Sequence, residues 1–334
     1  MVSTIGIVGL GLIGGSLALR LVDAGCDVVA WNHRDHCYAA AREKGIRCVY
    51  SLDELVEARP RIVVLCNPLR AMPEVLSRLS RSFDPNATTL TDVGSVKGMV
   101  RRQVVAAGLG DCYVGAHPMA GNERSGFAAA DASLFDGALW AVTVDAGTSK
   151  VRLDAVARMI TGLVGDELIV VDDEMHDRAA AMISHMPHAV STAMINELCD
   201  DPERAIAAAL SAGSWRDMTR VALTDPARTR SMIEEDSANV ERLLRSMASR
   251  LESFADALHS GDDGTISEFF RHGQAFRDYR SVLTAGVTSR DSSVVIPGDG
   301  SSWREELMTS AKRGERIRGV HSDGSFEAVP KPFA

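Results

Sequence analysis

Residues 5–14 read Ile5-Gly6-Ile7-Val8-Gly9-Leu10-Gly11-Leu12-Ile13-Gly14, and the Ala/Leu-rich run Ser16 to Ala24 follows. An apolar strand thus meets a G-x-G-x-x-G turn, a helix opens directly after it, and a second apolar run ends at Trp31. In that context each glycine has a task. Gly9 permits the tight turn, Gly11 lets the backbone approach a pyrophosphate, and Gly14 lets the helix lie close to the strand. The helix start at Leu12 and Ile13 then faces the phosphates with its unpaired amides. The reading is a nicotinamide-dinucleotide unit. Outward from it, short β-branched runs alternate with helical stretches as far as residue 172. Strands are expected at Thr4–Gly9, Asp27–Trp31, Arg47–Tyr50, Arg61–Cys66, Thr88–Asp92, Tyr113–Ala116, Leu139–Val144 and Glu167–Val171. Several are almost wholly apolar, as parallel strands covered on both faces are. The fold class expected is an α/β Rossmann-type doubly wound sheet followed by an all-α C-terminal domain.

Beyond Asp172 the strand pattern stops, and an Ala-, Met- and Arg-rich helical region runs to about Leu283, with boundaries at Pro187, Pro202, Gly213 and Pro226. Residues 226–259 read as one long amphipathic helix, with Met232, Ile233, Val240, Leu243, Leu244, Met247, Leu251, Phe254 and Leu258 at three- and four-residue steps. A helix of that length beside a nucleotide domain points to a homodimer built through the helical region. The domains expected are 1–172 (dinucleotide-binding), 173–286 (helical, substrate and dimerisation) and 287–334 (a Gly/Ser/Asp-rich strand–loop–helix appendage). The net charge of −9 argues against nucleic acid and against anionic membranes, both of which attract basic faces. Val2 to Leu19 carries no charge, but five glycines interrupt it and no basic segment precedes it, so neither a signal peptide nor a membrane span is expected. The six cysteines show no CxxC spacing and read as reduced thiols of a cytoplasmic protein.

The end of the second strand sets the choice between NAD and NADP. A carboxylate there holds the ribose 2′-hydroxyl and repels a 2′-phosphate. This chain has Trp31-Asn32-His33-Arg34 instead, and Asp35, a candidate late-placed acid, follows the expected position by three residues. Asn32 can hydrogen-bond without repulsion and Arg34 can pair with a phosphate, so NADP or NAD is expected, with NADP slightly favoured.

Four more segments complete the pattern: Thr91-Asp92-Val93-Gly94-Ser95-Val96-Lys97-Gly98, Gly115-Ala116-His117-Pro118-Met119-Ala120-Gly121, Ser184-His185-Met186-Pro187-His188, and Ser214-Trp215-Arg216-Asp217-Met218-Thr219-Arg220. Over about residues 4–280, their order and spacing resemble the prephenate/arogenate dehydrogenase family of tyrosine biosynthesis. The C-terminal appendage is similar to that of the actinobacterial branch, and neither an ACT regulatory domain nor a chorismate-mutase segment is expected. The resemblance implies oxidative decarboxylation of prephenate or arogenate, with hydride passing from the ring C4 to the nicotinamide. Such a reaction needs a base for the 4-hydroxyl proton, and a neutral histidine suits it. His117, just beyond a strand, is the candidate. By resemblance Ser95 hydrogen-bonds the same hydroxyl and orients His117, although it could also cap the following helix. Arg220 resembles the arginine that grips a substrate carboxylate, and His188 resembles a histidine that adds a substrate hydrogen bond. His185 reads as a supporting residue and no metal is expected, because Pro187 intervenes and no third ligand beyond His176 is near. Lys97 and Arg216 are plausible helpers, each more often solvated or paired.

Two alternatives compete. A β-hydroxyacid-type dehydrogenase needs a lysine early in the helical region, and this chain has no lysine from 151 to 311. A nucleotide-sensing regulatory protein would have no reason to keep His117, Ser95, His188 and Arg220 together. Short-chain and malate-type dehydrogenases are disfavoured too, as Tyr-x-x-x-Lys is absent.

Overall fold

The computed structural model describes residues 3–122, 124–284, 293–298 and 300–330. It divides into two compact units, Met1–His176 together with Ser293–Pro330, and Asp177–Ser292.

All eight strands expected are present in the first unit: β1 (Thr4–Val8), β2 (Asp27–Trp31), β3 (Arg47–Val49), β4 (Ile62–Leu65), β5 (Thr89–Asp92), β6 (Tyr113–Pro118), β7 (Leu139–Thr143) and β8 (Glu167–Val171). Six of them form a parallel sheet in the order β3-β2-β1-β4-β5-β6. Strand order reverses about β1, where Val8 pairs with Trp31 on one side and Leu65 on the other. A ligand crevice opens at such a reversal, outside the carboxyl ends of the strands. β7 runs antiparallel to β6, and β8 runs parallel to β7.

The period of two along each strand sorts the core into two layers. Ile5, Ile7, Val28, Ala30, Ile62 and Val64 pack with Leu17 and Leu21 on one face. Val8, Val29, Val63, Leu65 and Leu90 pack with Leu52, Leu55 and Val100 on the other. Ser51 begins the helix Leu52–Glu57 as expected of a cap, its Oγ accepting from Glu54 N at 3.0 Å.

The C-terminal segment contributes more than a strand–loop–helix tail. β9 (Val294–Ile296), the helix Trp303–Lys312, β10 (Glu315–Val320) and β11 (Phe326–Pro330) extend the sheet, with Ile317 of β10 paired antiparallel to Leu168 of β8. Trp303, Leu307, Phe326 and Ala328 are buried in the same core as Leu17, so residues 293–330 belong to the nucleotide unit. The boundary expected at 286/287 lies outside the described residues.

The second unit is helical. The single helix expected over 226–259 is instead two, Pro226–Glu235 and Ser237–Ser260. Asp236 sits between them with φ −123° and ψ 31°, buried, its carboxylate oxygens 3.0 Å from His185 Nδ1 and 2.9 Å from Asn239 Nδ2. Bonds made off the helix axis hold the chain out of helical geometry there. The boundary expected at Pro187 is also absent, since helix continues from Asp173 to Asp200 through a π-helical turn at Ala181–His185. Pro187 has no N–H to offer the carbonyl four residues back, and the wider turn absorbs that gap.

Candidate active site

Gly9 has φ +107°, and its N–H donates to Trp31 O at 2.7 Å. A Cβ there would stand 2.9 Å from the carbonyl of Cys66, and one on Gly14 would stand 2.0 Å from Gly9 O. Both positions therefore require glycine. At Gly11, by contrast, a Cβ would meet nothing within 4 Å. That open side adjoins the start of the helix Leu12–Asp23, where Gly11 is the N-cap and no side chain caps the amides. Backbone N–H groups aimed at open space fit a pyrophosphate.

Asn32 has a task that the sequence reading did not foresee. Its Oδ1 accepts from Leu10 N at 2.8 Å, and its Nδ2 donates to Arg34 O at 2.7 Å, so it ties the glycine loop to the end of β2. The phenol of Tyr38, bonded to Val49 O at 2.6 Å, receives Asn32 N at 2.9 Å and braces the same corner. His33 and Arg34 are exposed beyond it.

At the ends of β5 and β6 a buried ionic cluster shapes the next part. Lys97 is fully buried, its Nζ paired with Asp92 and donating to Ala116 O at 2.7 Å. Asp92 also accepts from Tyr113 Oη at 2.8 Å and from Gly94 N at 2.8 Å. Burial and the facing carboxylate push the Tyr113 phenol well above its ordinary range. Lys97 is therefore paired, not solvated, and it fastens the turn that carries Ser95 to the strand that carries His117. Ser95 is half-buried in that turn, and Val96, not Ser95, takes the N-cap position of the helix Lys97–Ala106.

His117 lies near the carboxyl end of β6, half-buried, with its Nδ1 2.9 Å from Nε2 of the buried His176. His176 stands in the first turn of the helix Asp173–Ala180, whose Asp173 is paired with Arg101. Arg101 also donates to Thr143 O at 3.1 Å and lies 3.1 Å from the Asp145 carboxylate.

In the second unit, His185 is fully buried with Nδ1 on the Asp236 carboxylate, which is the supporting part expected of it. His188 lies one turn further along the same helix, half-buried. Burial first, and then the charges of His185, Arg228 and Arg220, hold its pKa below the ordinary histidine value, against a raising contact with the Val221 backbone. Arg220 is exposed at the start of the turn Arg220–Leu223, and Arg216 is exposed on Gly213–Thr219. Nε2 of His185, Nδ1 of His188, Ser191 Oγ and Thr229 Oγ1 are buried with no hydrogen-bond partner among the described residues. Buried polar atoms of this kind are what a bound polar group satisfies.

The nucleotide-binding domain of prephenate dehydrogenase matches residues 17–168, and the prephenate dehydrogenase dimerization domain matches residues 172–272. The chain belongs to the prephenate dehydrogenase family. A prephenate dehydrogenase from Lactococcus lactis is 27% identical over 277 residues, covering 81% of this chain and 75% of that protein. A crystal structure of a putative prephenate dehydrogenase from Corynebacterium glutamicum superposes with a TM-score of 0.80 at 29% identity, covering 94% of this chain and 98% of that one. The prephenate dehydrogenase of Aquifex aeolicus, in complex with hydroxyphenyl propionate and NAD+, gives a TM-score of 0.76 at 28% identity and covers 83% of this chain and 98% of that one. Family membership displaces the β-hydroxyacid and regulatory alternatives.

Of the residues expected for a prephenate dehydrogenase, the first unit carries Gly9, Gly11, Leu12, Ile13, Gly14, Asn32, His33, Arg34, Ser95 and His117, and the second carries His188 and Arg220. His176, Arg101 and the Asp92–Lys97 pair were missed as supports. A signal existed for the pair, namely an aspartate and a lysine bracketing a turn in otherwise apolar sheet sequence. Nothing in the spacing around His176 announced its partner 59 residues away.

Proposed function

We propose that this chain oxidises and decarboxylates prephenate or arogenate, passing hydride to NADP or NAD and yielding 4-hydroxyphenylpyruvate or tyrosine. The observation that carries the reading is His117, half-buried at the carboxyl edge of the sheet that also bears the glycine loop. In this scheme His117 accepts the proton of the ring 4-hydroxyl. The O–H bond breaks, its electron pair forms the carbonyl, and hydride leaves C4. The nicotinamide supplies the hydride acceptor. Loss of CO2 from the ring then restores aromaticity and makes the sequence irreversible. Ser95 hydrogen-bonds the reacting hydroxyl, Arg220 pairs with a substrate carboxylate, and His188, kept neutral by its lowered pKa, hydrogen-bonds the substrate.

NADP is favoured over NAD because Arg34 is exposed beside Asn32 at the end of β2, where the usual acid position is taken by Asn32 and the first carboxylate, Asp35, follows three residues later. The helical unit forms a homodimer, in keeping with the dimerization domain it matches. The greater coverage of the Corynebacterium structure supports kinship with the actinobacterial branch.

Folded protein incubated with NADP or NAD and either substrate should raise the absorbance of reduced cofactor. No signal with either substrate overturns the assignment, and a kcat/KM favouring NAD tenfold overturns the reading of Arg34. His117→Asn should lower kcat by about 10²- to 10⁴-fold with little change in KM, as loss of a general base does. Arg220→Gln should chiefly raise KM.

A further inference from the structure

We infer that His176 is a positioning residue that holds His117 in its proton-accepting tautomer, an inference resting on the reading of His117 as the base. A neutral imidazole carries one proton on two nitrogens. To accept a proton at Nε2, His117 must carry its own on Nδ1, and that tautomer needs an acceptor facing Nδ1. His176 supplies it. Its Nε2 lies 2.9 Å from His117 Nδ1, and its ring, 3% exposed, meets the His117 ring edge-on with centroids 5.1 Å apart. The opposite arrangement, with His176 donating, would place the proton of His117 on Nε2 and leave no lone pair there for the hydroxyl.

Both ends of this contact are fastened to one helix. From Lys97–Ala106, Lys97 grips the carbonyl of Ala116, the neighbour of His117, at 2.7 Å. One turn on, Arg101 grips Asp173 at the start of the helix that bears His176. Asp172 completes the anchorage, accepting from Met175 N at 2.6 Å through its carboxylate and from His176 N at 3.0 Å through its carbonyl. The two rings are thereby held from behind, as an orienting group holds the histidine of a catalytic triad. When His117 takes the substrate proton at Nε2 it becomes an imidazolium, and its Nδ1–H bond to His176 turns charge-assisted, which strengthens it as the reaction proceeds.

Nitrogen-15 spectra of histidine-labelled, unliganded protein at about pH 8, where ordinary histidines are neutral, read the tautomer directly. The His117 resonances, identified by their loss in His117→Asn, should show a protonated Nδ1 and a bare Nε2. A protonated Nε2 overturns the inference. This measurement needs no substrate, so it fails separately from the assignment of the reaction. A matched pair of variants gives the kinetic test. Glutamine places its amide oxygen close to where His176 Nε2 stands, whereas asparagine falls short. His176→Gln should keep kcat within about threefold, and His176→Asn should lower it on the order of 10- to 100-fold with KM within about threefold. Equal kcat values in the two variants would also overturn the inference.

Discussion

Lys97 has no exposed surface and is set between β5 and β6 with its Nζ on the Asp92 carboxylate. A buried pair of this kind gains little over an apolar replacement of both partners, but breaking it strands a charge. Lys97→Met should therefore lower the unfolding free energy by about 3–5 kcal/mol in denaturant melts, because Asp92 stays behind without its cation. A loss under about 1 kcal/mol would mean that Tyr113 and the Gly94 amide satisfy Asp92 by themselves. His188 acts in the opposite sense. Its folded pKa lies below the ordinary histidine value, so as pH falls through about 6.5 the unfolded chain takes up a proton that the folded chain refuses. The stability it contributes is thus present above that pH and drains below it. Melts between pH 7.5 and pH 5 (about one unit either side of the ordinary value) should show His188→Asn losing less stability on acidification than the parent chain. Equal slopes would refute the shift. At this scale the sequence disclosed the residues whose chemistry is local, such as Gly9 and Gly14, whose backbone needs are written into a six-residue motif. It did not disclose Asn32 as a loop tie or His176 as a partner, because both roles depend on atoms brought near by the fold.

The same division runs through the elements. The strands were legible because most are β-branched, near-continuously apolar runs such as Ile62–Leu65, the pattern that burial on both faces of a sheet demands of each segment alone. The break at Asp236 was not legible. The apolar stripe keeps helical register across it, from Ile233 to Val240 and Leu243, and periodicity cannot report a buried histidine 51 residues upstream. Two terms compete at that position. Alanine would favour an unbroken helix by at most about 0.7 kcal/mol, whereas losing the carboxylate orphans a buried ring nitrogen at a cost of about 1–3 kcal/mol. Asp236→Ala should therefore destabilise the protein despite its better helix propensity, as unfolding in urea would report. A gain in stability would show that the break does not depend on the His185–Asp236 bond. The C-terminal strands were half-legible for a related reason. β10 is mixed in character and becomes a strand by adding to the edge that β8 offers, and β11 adds in turn to β10.

At the scale of the whole molecule the two units differ in how much they bury. The first closes two apolar layers around its sheet. The second has a core of Ala181, Met186, Val240 and Leu243, with four further apolar side chains half-buried against it. Its 24-residue helix Ser237–Ser260 buries Val240, Leu243 and Ala257, while Leu251 and Leu258, on the same stripe, are 53% and 56% exposed. Phe270 and Phe276 are exposed to a similar degree. Monomeric proteins seldom leave a run of large apolar side chains in water, and an amphipathic helix gains most of its stability from covering that face. A second copy of the chain is the cover proposed, and Leu251 and Leu258 are the side chains to test. The parent protein should sediment at twice the 35.8 kDa of one chain. Leu251→Glu combined with Leu258→Glu should shift it towards the single-chain mass, since burying two carboxylates at an apolar contact costs several kcal/mol. Val151→Glu, at a still more exposed apolar position on the first unit, should leave the mass unchanged. If the parent protein sediments as a single chain at micromolar concentration, the exposed stripe has some other cover and the dimer is refuted. If the double variant stays dimeric, the contact is made by other faces of the helical unit.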